Sequence, residues 1–131
     1  MMRYVLTLVC LLAMGCAQNV QRYGSVIGVK AESLEEYKAL HAAPWPEINA
    51  KLKECNIQNY SIYLTQFPEG DHYLFAYFEY TGDDFDADME KMADDPKTKE
   101  WWSHTDPMQI GLSNRKEGEW WKSMEEVYHL D

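Results

Sequence analysis

Tyr37 and His41 stand four residues apart in the run Glu36-Tyr37-Lys38-Ala39-Leu40-His41-Ala42-Ala43-Pro44-Trp45-Pro46-Glu47. On a helix that spacing stacks a phenol and an imidazole on one face. Imidazole is the side chain best able to give and take protons near neutral pH. Trp45 follows between two prolines and brings a flat apolar surface close to both. A proton shuttle, a hydroxyl and an aromatic wall suit a small polyhydroxy ligand such as a sugar. The same spacing also describes a core tyrosine and a helix-terminal histidine in an ordinary turn between two helices, and spacing alone does not separate the two readings.

The elements that must position these residues belong to one domain, since the chain has 131 residues. Hydrophobic residues at 46% and aromatics at 14% supply one core and exclude a disordered chain. A formal net charge of -10 argues against nucleic-acid phosphates as partners and favours a neutral or cationic one. A neutral monosaccharide fits that balance.

Residues 1–15 read as an export signal: Arg3, then an apolar run from Tyr4 to Met14, then small residues. That run falls short of the roughly 20 apolar residues a spanning helix needs. Leu12-Ala13-Met14-Gly15-Cys16 has the look of a bacterial lipobox, with Met14 and the placing of Leu12 departing from the usual pattern. Cys16 is therefore the lipidation candidate, and the alternative is a plain cleavage site. The expectation is an exported protein, periplasmic or held at the membrane by lipid on Cys16, with residues 16–21 as a tether and 22–131 as the folded domain. Cys10 leaves with the signal and Cys55 is then alone, so no disulfide framework forms. Cys55 has no local base or positive setting and reads as a small buried apolar residue.

Arg22–Lys30 predicts the first strand. Ser33 with Glu36 has capping-box spacing before a helix that Pro44 ends, and Pro46 opens the next helix, whose apolar face is Ile48, Leu52 and Cys55. Asn56 closes it. Gln58–Gln66 and His72–Tyr80 read as a hairpin about Pro68-Glu69-Gly70-Asp71, with Tyr60, Ile62 and Leu64 on one face. Asp83 or Asp84 caps a helix through Ala93 with Phe85, Met89 and Met92 inward, and Asp95-Pro96 starts a short helix carrying Trp101 and Trp102. A polar loop follows from about His104 to Gly118, then a last strand from Trp120 to Leu130. The order is α+β: a ferredoxin-like single antiparallel sheet with helices on one face. Aromatics on both sides of Tyr73–Tyr80 leave the other face apolar, which predicts a symmetric homodimer closing a dimeric α/β barrel.

Taken together, Glu36-Tyr37 with His41, Trp45-Pro46-Glu47, Leu52-Lys53, Asn59-Tyr60-Ser61-Ile62-Tyr63-Leu64, Leu74-Phe75-Ala76, Trp101-Trp102 and the ending Met124-Glu125-Glu126-Val127-Tyr128-His129-Leu130 resemble the L-rhamnose mutarotases. These are small dimeric α/β-barrel proteins that interconvert the α and β anomers of a pyranose. The resemblance runs from about Tyr23 to Leu130. It implies His41 as proton donor, Tyr37 and Tyr60 as sugar contacts, and Trp101 and Trp102 lining the site. The family is typically cytoplasmic, and the loop from Asp106 to Gly118 does not follow its pattern; both departures bear on which sugar is used.

The implied reaction is ring opening to the aldehyde, rotation about C1–C2 and reclosure, which side chains accomplish with no metal or cofactor. His41 would protonate the ring oxygen and act as base on reclosure, with Tyr37 orienting it or binding a hydroxyl. A carboxylate such as Glu126, or a water, would take the anomeric proton. Adjacent on a helix, Trp101 and Trp102 point about 100° apart, so at least one is expected in the core. Trp120 and Trp121 are expected at a dimer edge without chemistry. Two rival functions remain at this level: a cofactor-independent monooxygenase on the same barrel, and a sugar-binding or interaction lipoprotein without catalysis.

Overall fold

The computed structural model describes residues 19–131; the stretch expected to be an export signal, and Cys16, lie outside the described residues. Strand β1 spans Gln21–Val29 and pairs along its whole length with β3, His72–Tyr80. Strand β2, Ile57–Gln66, flanks β3 on the other side. Two short strands, β4 (Gln109–Ile110) and β5 (Lys122–Met124), share the remaining edge of β1. Every pairing is antiparallel and the order is β2-β3-β1-β4, with β5 pairing the same edge of β1 as β4. Each crossover carries a helix pair: α1 (Leu34–Ala42) with α2 (Pro46–Glu54), and α3 (Phe85–Asp94) with α4 (Pro96–Thr105). This is the ferredoxin-like arrangement of the sequence reading.

Helix boundaries follow local chemistry. Pro46 and Pro96 occupy first-turn positions, where the missing N–H costs nothing. The Asp84 and Asp95 carboxylates accept the backbone N–H groups of Ala87 and Thr98 at 3.1 and 2.8 Å. Asn56 ends α2 at φ 59°, a left-handed conformation that asparagine tolerates. Ser33 departs from expectation. Its side chain caps nothing, because a 3₁₀ turn at Ala31–Ser33 leads the chain into α1 and leaves Ser33 itself near-helical.

Alternation puts Tyr23, Ile27 and Val29 of β1 on the helix face, with Leu74, Ala76, Phe78 and Tyr80 opposite. Two core clusters form there. One joins Ile27, Val29, Leu74 and Met108 to Tyr37; the other joins Ile57, Tyr80 and Cys55 to Met92. Burial pushes the Cys55 thiol pKa up, as an inert packing cysteine requires. A bulge between Gln58 and Ser61, with Asn59 at φ 53°, inserts one extra residue into β2. It shifts the alternation, so that Ile57 before it and Tyr60, Ile62 and Leu64 after it all face the helices.

The opposite face carries Tyr63, Tyr73, Phe75 and Tyr77, and Phe67 folds against Tyr73 and Phe75 with ring centroids 4.9 and 6.4 Å away. The expected last strand from Trp120 to Leu130 is much shorter. Only Lys122–Met124 pairs, because β1 offers an edge from Gly24 to Val26 there. Beyond it Val127, Tyr128 and Leu130 are exposed. Glu126 is held by Arg22 at 2.8 Å. Arg22 alternates with Tyr23, on the face away from the helices, so Glu126 does not serve as the base of a site under α1.

Tyr80 ties α3 to the sheet. Its ring is buried and its hydroxyl reaches the margin, donating to Asp88 at 2.7 Å and accepting the Asp84 N–H at 3.0 Å; Asn56 adds a second bond to Asp88 at 2.7 Å. These bonds hold the Asp88 carboxyl below its ordinary range, Tyr80 contributing most. Tyr80→Phe is expected to lower the melting temperature by roughly 5–10 °C at neutral pH. A carboxylate with a depressed folded-state pKa stabilises the fold above its unfolded value and ceases to do so as pH falls through the folded one. The gap between variant and wild type in a calorimetric pH series should therefore narrow on acidification.

Candidate active site

His41 sits in the last turn of α1, half-buried, one turn beyond Tyr37, which is buried. Their rings stack with centroids 4.1 Å apart and planes 24° apart. The His41 Nδ1 lies 2.8 Å from the Tyr37 carbonyl oxygen. A carbonyl oxygen only accepts, so Nδ1 carries the hydrogen and Nε2 is left with the free lone pair. Burial lowers the His41 pKa from the usual 6.5, opposed by that backbone bond. At neutral pH the ring is accordingly neutral and basic at Nε2.

Helix α4 supplies the wall. Thr98, Trp101 and Thr105 form its buried stripe, spaced to face one way. The Trp101 ring meets His41 edge-on at 5.2 Å and Trp45 edge-on at 5.2 Å. Trp45 also meets His104 at 5.5 Å and lies 5.6 Å from the Lys97 ammonium. The aromatic surface expected in the proline-bracketed break is therefore beside the histidine. Trp102 turns the other way around α4. It is 38% exposed and, among the described residues, shares none of these ring contacts.

The sheet supplies the floor. Tyr60, placed by the bulge, packs edge-on against Phe78 at 5.6 Å and is 43% exposed at its outer edge. Burial of its hydroxyl end raises its pKa. The Tyr37 phenol is also pushed well above the ordinary tyrosine range, first by burial and then by repulsion from a Tyr60 charge. Both stay protonated and serve as neutral hydrogen-bond partners. A contact with the Gln109 side chain acts on Tyr37 in the opposite direction.

Tyr37, His41 and Trp101 are thus brought together, with Trp45 as outer wall, while Tyr60 lies against Phe78 on the helix face of the sheet. Gln109 was not singled out from sequence, and Trp120, whose indole N–H donates to the Gln109 Oε1 at 2.7 Å, was expected at a dimer edge without chemistry. The only signal available was a glutamine followed by an isoleucine in an otherwise polar loop. An open cleft of about 510 Å³ between His72, Ile110 and Asn114 includes none of the four. Among the described residues no group of three His, Cys, Asp or Glu side chains is placed to share a metal ion.

Fold and site together define an α+β protein with a neutral acid/base centre walled by aromatic rings. The chain belongs to the L-rhamnose mutarotase family, whose family model matches residues 22–130. It is 31% identical to the L-rhamnose mutarotase of Lactiplantibacillus plantarum, over 84% of this chain and 98% of that protein. It is likewise 31% identical to that of Flavobacterium johnsoniae, over 87% and 99%. The crystal structure of an L-rhamnose mutarotase from Formosa agariphila has the same fold, with a TM-score of 0.64 at 22% identity over 85% of this chain and 99% of that one.

Proposed function

We propose that this chain is a sugar mutarotase, an isomerase that interconverts the α and β anomers of L-rhamnose or a related neutral hexose. The family membership supports the reaction, and one observation carries the chemistry: Nδ1 of His41 is committed to the Tyr37 carbonyl, leaving Nε2 as the one position that exchanges protons. The anomeric hydroxyl and the ring oxygen sit on the same carbon, so a single imidazole reaches both. Nε2 takes the hydroxyl proton. The C1–O5 bond breaks as the C1 carbonyl forms, and its electron pair stays on O5. The imidazolium then gives its proton to O5, which is the donor role expected of His41. After rotation about C1–C2 the same steps run backward onto the other face of the carbonyl. Tyr37 and Tyr60 hold sugar hydroxyls, Trp101 closes the apolar side, and Trp102 offers an exposed ring for the rim.

Magnetisation transfer by NMR between the anomers of L-rhamnose, L-fucose and related hexoses tests this directly. Faster exchange for at least one sugar is expected, and an unaccelerated panel would leave a binding protein instead. Because the resting imidazole must be neutral, kcat/KM should rise with pH through a value below 6.5 and stay level to about pH 8. A rate that falls across that range would mean an obligatory imidazolium in the resting enzyme. The monooxygenase reading has less support, since the side chains around His41 are a phenol and indoles.

The protein acts as an exported homodimer with lipid on Cys16. The dimer is supported by the aromatic sheet face and by the exposed Val127, Tyr128 and Leu130, which no element of the protomer covers among the described residues. Export and lipidation are supported by the sequence of residues 1–17. Light scattering and intact mass of detergent-extracted protein should give twice the protomer mass and a lipid increment lost in Cys16→Ser; a monomer of unmodified mass defeats both.

A further inference from the structure

The bulge that carries Tyr60 is fastened from the other face of the sheet. Ile57 and Gln58 pair with Tyr80 and Glu79, and Ser61 pairs with Tyr77, so Asn59 and Tyr60 together stand opposite the single residue Phe78. Continued without the extra residue, the first register would set Tyr60 opposite Tyr77 and turn its phenol away from the helices. Asn59 absorbs the difference at φ 53°, in the left-handed region. Half-buried Glu79 gathers three donors there: the Asn59 amide at 3.0 Å and the Tyr77 hydroxyl at 3.0 Å, both on Oε1, and the Gln58 amide at 3.0 Å on Oε2. An ionised carboxylate only accepts, so both amides present their nitrogens to it. Gln58 precedes the bulge, Asn59 is its first residue, and Tyr77 pairs with the residue that follows it. One carboxylate therefore spans the whole irregularity.

We propose that Glu79 is a positioning residue for Tyr60: by fastening Asn59 in the bulge, it keeps the Tyr60 phenol on the helix face, edge-on to Phe78, and so available to the sugar. Glu79 reaches no substrate itself, because it points to the face away from the helices. Its effect passes through the backbone of β2, where a slip of one residue would exchange the faces. The same bonds hold the Glu79 carboxyl below its ordinary range, Asn59 contributing most, which agrees with an ionised acceptor at neutral pH. The consequence for catalysis rests on the reading of Tyr60 as a sugar contact; the consequence for the Tyr60 ring does not.

Two readouts test it: ring-to-ring NOEs of Tyr60 by NMR, and anomer-exchange kinetics. In Glu79→Leu, which accepts no hydrogen bond, the Tyr60–Phe78 NOEs should weaken and Tyr60–Tyr77 NOEs appear. Tyr60→Phe should raise KM about tenfold with kcat little changed, as expected for one lost hydrogen bond to substrate. Glu79→Leu should raise KM at least as much, and the double variant should be no worse than Glu79→Leu alone, since both remove the same contact. Glu79→Gln keeps one oxygen for Asn59 and should fall between wild type and Glu79→Leu in both readouts. Asn59→Gly keeps the backbone its positive φ but gives Glu79 nothing to hold, and it should show the same displacement to a smaller degree. Tyr60–Phe78 NOEs that survive in a folded Glu79→Leu, or effects of Glu79 and Tyr60 on KM that multiply, overturn the proposal. A wild-type KM in Tyr60→Phe overturns the sugar-contact reading instead, and the NOEs still decide what Glu79 does. Circular dichroism identifies a variant that does not fold, and if Glu79→Leu is one, Glu79→Gln and Asn59→Gly decide the matter by the same NOEs.

Discussion

His41→Gln should lower the catalysed anomer exchange by roughly 10²–10⁴-fold, the range typical of a lost general acid/base. Glutamine is chosen because it separates chemistry from structure. Its amide can still donate to the Tyr37 carbonyl and its length roughly fills the space against Trp101, where His41 now sits edge-on at 5.2 Å. It has no proton to exchange near neutral pH. Stability should therefore change little, within about 1 kcal/mol. The readout is magnetisation transfer at saturating sugar, with thermal unfolding alongside. Wild-type exchange in a folded His41→Gln protein would remove the imidazole from the mechanism altogether. In His41→Ala, which leaves space for a small base, added imidazole should restore part of the rate, and its effect should grow with pH as more of the free base is present.

Trp101→Ala carries the second large effect, and its neighbour supplies the control. Trp101 is 8% exposed and touches both His41 and Trp45. Removing a buried indole typically costs about 3–5 kcal/mol, a large share of the 5–15 kcal/mol that holds a domain of this size. The His41 ring also loses the edge contact that fixes its plane, so exchange should fall even where the variant remains folded. Trp102→Ala removes the same chemical group from a ring 38% exposed and should cost about 1 kcal/mol or less in urea unfolding. Its expected signature is a raised KM, from loss of a rim contact with the sugar. Equal destabilisation by the two substitutions would mean that α4 is rotated about its axis from the position described, and the wall of the site would then be Trp102.

The physical asymmetry between these two tryptophans shows how far the sequence reaches. A helix separates adjacent side chains by about 100°, so one indole had to face the core. Nothing local chooses which. The choice falls to Thr98 and Thr105, which flank Trp101 on the buried stripe, and to the seat of α4 over α1 and α2. The same holds for Glu126, an acceptable base by residue type, which the edge pairing of β5 puts on Arg22 and away from His41.

From the residues alone came the four-residue spacing of Tyr37 and His41, the break at Pro44 and Pro46, an aspartate cap at Asp83 or Asp84, the helix start at Asp95-Pro96, and the element order of the sheet. Each depends on near neighbours in the chain, where periodicity, fixed proline φ and side-chain capping act without the rest of the molecule. Tertiary structure decided the matters of distance. The bulge at Asn59 turns Tyr60 onto the helix face, β1 leaves β5 room for three residues, and the Trp120 indole N–H meets the Gln109 carboxamide. Those contacts join segments far apart in sequence, so their partners are fixed only once sheet order and register bring the strands and helices together.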